Sequence, residues 1–89
     1  MRHRIELHQG GKPIWKGAWA ETPEEVALAT KVATNDLKEA LEPKSDYGFA
    51  MWRNEHDETT LIPKSILIGS IVVVAQEKPE QEEADDSTD

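Results

Sequence analysis

Residues 22–42 carry the only helical period in this chain, and the apolar residues on either side of them alternate with a period of two. A lone helix between strand-like segments leaves few architectures. The helix must bury its apolar stripe on a sheet, which makes the chain a small α+β domain. Thr22 is suited to cap the helix, Pro23 stands at its first position, and Glu25 completes a capping box with Thr22. Glu24 and Glu25 favour the positive end of the helix dipole. Val26, Ala29, Ala33, Leu37, Ala40 and Leu41 share one face, and the alanines let that face lie close to a sheet. Leu28 falls among polar positions, with Val32 at their edge, and Pro43 stops the helix near Glu42.

Ahead of the helix, His3, Ile5 and Leu7 alternate with Arg2, Arg4, Glu6 and His8, the pattern of a half-buried strand. Gln9-Gly10-Gly11-Lys12 reads as a turn, and residues 13–20 as the return strand of a hairpin. Strict alternation puts Trp15, Gly17 and Trp19 on one face of that return strand. After the helix, residues 47–53 read as a third strand. Tyr47, Phe49 and Met51 lie on one side and Gly48, Ala50 and Trp52 on the other, so the strand is expected at a central position.

Asn54-Glu55-His56-Asp57-Glu58 is a polar turn, residues 59–62 a short fourth strand, and residues 66–75 a fifth. Within the fifth, Gly69-Ser70 is either a hairpin turn or a bulge. The bulge is preferred, because the turn would leave very short strands. The expected order is β-β-α-β-β-β: a small antiparallel sheet with one helix packed on one face, spanning residues 1–76. Residues 77–89 hold seven acidic residues against Lys78, so −6 of the net charge of −8 lies there and −2 in the rest. That stretch is expected to be a disordered acidic tail, because it lacks the apolar surface to offset ordering entropy.

Several chemistries find no support. The absence of cysteine excludes disulfides, thiolate catalysis and sulfur-based zinc sites. His3 and His8 fall on opposite faces of one strand, and His56 sits in a turn whose side chains diverge, so no metal is expected. Ser45, Ser65 and Ser70 have no base beside them, and Gly10-Gly11-Lys12 joins two strands rather than opening a helix. No enzyme activity, cofactor or small-molecule substrate is expected. No apolar run is long enough for a bilayer and no secretory leader is evident, so a cytoplasmic location is the expectation.

What stands out is aromatic: three tryptophans against one tyrosine and one phenylalanine. One helix covers one sheet face, which leaves the other to a partner. Trp15, Trp19 and Trp52 are the candidate contact residues, although the plainer account of Trp15 and Trp19 is that both rings fill the core beneath the helix. The resulting expectation is a protein-interaction module that binds itself as a homo-oligomer, or another protein, through the uncovered face or an edge strand. The alternative is a nucleic-acid accessory protein. It would bind single strands through Arg2, Arg4 and Lys16 with the tryptophans, or inhibit a nucleic-acid enzyme with its acidic residues. Size and acidic tail suit the small accessory proteins of phages and other mobile elements.

Overall fold

Local signals decide the first half of the chain. In the computed structural model, which describes residues 1–42 and 48–78, β1 (His3–Gln9) and β2 (Lys12–Lys16) form the expected hairpin. Gly10 and Gly11 both take positive φ, 61° and 77°, as a tight turn between right-twisted strands requires. Helix α1 (Pro23–Ala40) opens on a complete capping box: the Glu25 N–H donates to Thr22 Oγ1, and Glu25 Oε1 accepts from the Thr22 N–H. Ala33 and Ala40 are buried and Ala29 and Leu37 pack against the core, whereas Leu41, expected on the buried face, is the C-cap and is exposed.

The sheet is divided. β1 pairs antiparallel with β2 on one side and with β5 (Ile71–Gln76) on the other, while β3 (Phe49–Arg53) and β4 (Thr59–Pro63) form a separate antiparallel pair. An isolated bridge between Gly17 and Asn54 ties the two sheets together, with hydrogen bonds from the Ala18 N–H to the Arg53 carbonyl and from the Glu55 N–H to the Lys16 carbonyl. The α+β class stands, but among the described residues β3 is hydrogen-bonded along its length only to β4 and is not the central strand that its sequence suggests.

The fifth strand is shorter than expected. Residues 66–68, read as its beginning, belong to a second helix, α2 (Lys64–Ile68). Gly69 is that helix's C-cap, neither a bulge nor a hairpin turn. Tertiary context overrides the β-branched side chains here, because the helical turn drives Leu67 into the core at 1 % exposure. At the other end of β5 the Glu77 N–H donates to the Arg2 carbonyl. Residues 79–89, the rest of the expected tail, lie outside the described residues, as do Pro43 and Tyr47.

The core consists of Ile5, Leu7, Ala33, Ala40, Ala50, Trp52, Ile62 and Leu67, with Trp15 and Val72 packed against it. Helix α1 therefore covers the Ile5–Leu7 face of the first sheet and the Ala50–Trp52 face of the second. Gly17 holds the seam between them. A Cβ there would lie 2.9 Å from the Ile5 carbonyl oxygen and 3.0 Å from the Trp15 ring. Because one obstacle is backbone, Gly17→Ala is expected to cost about 1–3 kcal/mol, measurable by urea denaturation against wild type.

Candidate functional site

The tryptophans do not share one sheet face. The β1–β2 register runs Leu7↔Trp15 and Glu6↔Lys16, but the next pairing is His3↔Ala20, a slip of one residue. A slip of one sends every later side chain to the opposite face. Trp15 points into the core, its ring centroid 5.6 Å from that of Trp52, with its Nε1 donating to Thr60 Oγ1 at 3.1 Å. Trp52 is 7 % exposed, and its Nε1 donates to Asp36 Oδ2 on α1 at 2.6 Å. Trp19 emerges on the outer face, where the guanidinium carbons of Arg2 and Arg4 stand 4.7 and 4.3 Å from its ring centroid.

The basic hairpin is internally matched. Arg4 Nε donates to Glu6 Oε2 at 2.9 Å, and its Nη1 lies 3.7 Å from Glu55. Arg2 is paired with Glu77, which raises the arginine pKa and lowers that of the glutamate. Glu6 is buried on a sheet face, and His8 Nε2 approaches its other oxygen at 2.8 Å. Burial alone would raise the Glu6 pKa, but the hydrogen bonds from His8 and Arg4 and the Arg4 charge outweigh it, leaving it below the ordinary 4.5. Lys16 sits opposite Glu6 on the same face. Of the three candidate nucleic-acid contacts, two are thus already neutralised by carboxylates. In the β3–β4 turn, Asn54 Oδ1 accepts from the N–H groups of His56 and Glu58, and Asp57 pairs with Arg53. Among the described residues, no group of three or more His, Asp or Glu is placed to hold a metal.

The apolar surface left uncovered lies elsewhere, on the outer face of β3 and β4. Cross-strand partners Met51 and Leu61 are 68 % and 58 % exposed, and Phe49, opposite Pro63, is 66 % exposed. Sequence reasoning placed Phe49 and Met51 together on one face, but weighed the tryptophans more heavily. Leu61 was missed, although its alternation with the buried Ile62 was the available signal. A second apolar feature is a groove of about 340 Å³ between α1 and the point where the two sheets diverge. Its lining includes Trp15, Trp19, Leu28, Val32, Met51 and Trp52.

No family model, curated protein or solved structure matches the chain. No helix among the described residues is long and apolar enough to cross a membrane.

Proposed function

We propose that this protein is a non-enzymatic interaction module that self-associates through the outer face of β3 and β4. One observation carries the reading: Phe49, Met51 and Leu61 form a contiguous apolar surface across two paired strands, each more than half exposed. A two-stranded sheet is marginal in water by itself. Stacking on a second copy gives this one apolar cover on its open side. A two-fold axis through the face sets like on like, and its one charged strand neighbour, Arg53, is already held by Asp57.

The magnitudes favour a weak, reversible dimer. Six such side chains from two copies supply roughly 6–12 kcal/mol on burial, against an association cost of about 4–15 kcal/mol. Sedimentation across a concentration series is expected to show a monomer–dimer equilibrium in the micromolar range or above. Leu61→Glu is expected to abolish it without changing the circular dichroism, because Leu61 is 58 % exposed on the outer face. A wild-type chain that stays monomeric at high micromolar concentration overturns the reading. The nucleic-acid alternative draws less support, since phosphates would have to displace Glu77, Glu6 and Glu55 from Arg2 and Arg4.

A further inference from the structure

We propose that the free edge of β3, together with the groove beside it, is a strand-addition site for an extended peptide with alternating apolar side chains and a basic flank. This inference is independent of self-association through the outer face. In an antiparallel pair, successive residues aim their N–H and C=O groups to opposite sides. The Asn54 N–H donates toward β4, to the Glu58 carbonyl, whereas the Arg53 carbonyl accepts on the other side, from the Ala18 N–H. By the same alternation Trp52 aims its main chain at β4, and Met51 and Phe49 aim theirs away from it. Among the described residues nothing hydrogen-bonds the main chain of Met51 or Phe49 there.

The reason is the course of the preceding chain. Residues 17 and 18 meet β3 at Asn54 and Arg53, then Ala20 turns away to exchange hydrogen bonds with His3. A strand running straight on from Ala18 would have met Met51. Its place is taken by the groove, with Trp15 and Trp52 within it and Leu28 and Val32 of α1 along one side.

A row of unpaired main-chain groups selects an extended backbone, and a neighbouring apolar groove accepts every second side chain. That combination specifies a peptide strand over a compact ligand. Glu25 lines the groove with Arg53, whose charge Asp57 balances, and Glu24 is exposed beside it in sequence at the helix entry, which favours a cationic flank on the incoming strand.

The test is titration of the full chain, labelled with nitrogen-15, with a lysine-flanked peptide of alternating valine and threonine. Saturable binding is expected, with slowed amide exchange at Met51 and shifted indole signals from Trp15 and Trp52. Leu28→Glu and Val32→Glu, at exposed helix positions, are expected to weaken binding roughly tenfold, about 1.4 kcal/mol. Leu61→Glu is expected to leave it unchanged, which separates this site from the self-association face. Three results would each overturn the proposal. One is the absence of saturable binding. Another is equal affinity for a peptide N-methylated at alternate residues, which cannot pair as a strand. The third is Met51 protection that rises with protein concentration when no peptide is present, which would assign the edge to a second copy.

Discussion

Trp52→Ala is expected to lower folding stability by about 3–5 kcal/mol, a large share of the 5–15 kcal/mol that a domain of this kind commands. The indole joins three elements. It extends from β3, meets the Trp15 ring of β2 at an interplanar angle of 58°, and donates its Nε1 hydrogen to Asp36 on α1. Because β3 and α1 make few direct backbone approaches, this side chain is a main tie between the helix and the second sheet. Truncation to alanine opens a cavity, removes the aromatic contact and leaves a half-buried carboxylate without its donor. Trp52→Phe separates these effects. It keeps most of the ring volume and loses the hydrogen bond to a charged acceptor, about 1.5–3 kcal/mol. Urea denaturation of both variants measures the two steps. If Trp52→Ala melted like wild type while self-association disappeared, Trp52 would be a contact residue after all and its place in the core would be wrong.

The parts of this fold that are readable in sequence are those governed by near neighbours. The capping box of α1 is written in Thr22, Pro23 and Glu25, and the first hairpin in Gly10 and Gly11, so both elements could be placed from local chemistry. The short helix α2 could not. Ile66-Leu67-Ile68 favours a strand by propensity, and only the tertiary position of Leu67 reverses it. The face of Trp19 was illegible for a different reason. Alternation is reliable only while the register holds, and the slip between Lys16 and Ala20 inverts it. The division into two sheets follows from the same departure, because the chain leaves β3 just where a continuous sheet would have required it to stay. The exposed apolar surface was half visible: Phe49 and Met51 were assigned a common face, but nothing local says that this face, and not that of Trp52, is the one turned from the helix.

Glu6→Gln is expected to cost about 2–3 kcal/mol near neutral pH. The carboxylate is buried on the outer face of the first sheet between Arg4 and His8, and it accepts from both. Glutamine keeps the shape but not the charge, so the Arg4 guanidinium, only 15 % exposed, retains just the more distant Glu55 and the face of Trp19. The pH dependence follows from the direction of the Glu6 shift. A carboxyl with a lowered pKa in the folded state binds its proton more readily once unfolded, so its contribution is complete above the ordinary value of 4.5. It is lost as the pH falls through that value and then through the lower folded one. Glu77, also lowered, titrates in the same acid range, so the wild-type curve alone does not isolate Glu6. The difference in unfolding free energy between wild type and Glu6→Gln does, since Glu77 is common to both. That difference should shrink as the pH falls below about 5. A difference independent of pH down to the acid transition would mean that the Glu6 carboxylate gains nothing from Arg4 and His8 in the folded protein.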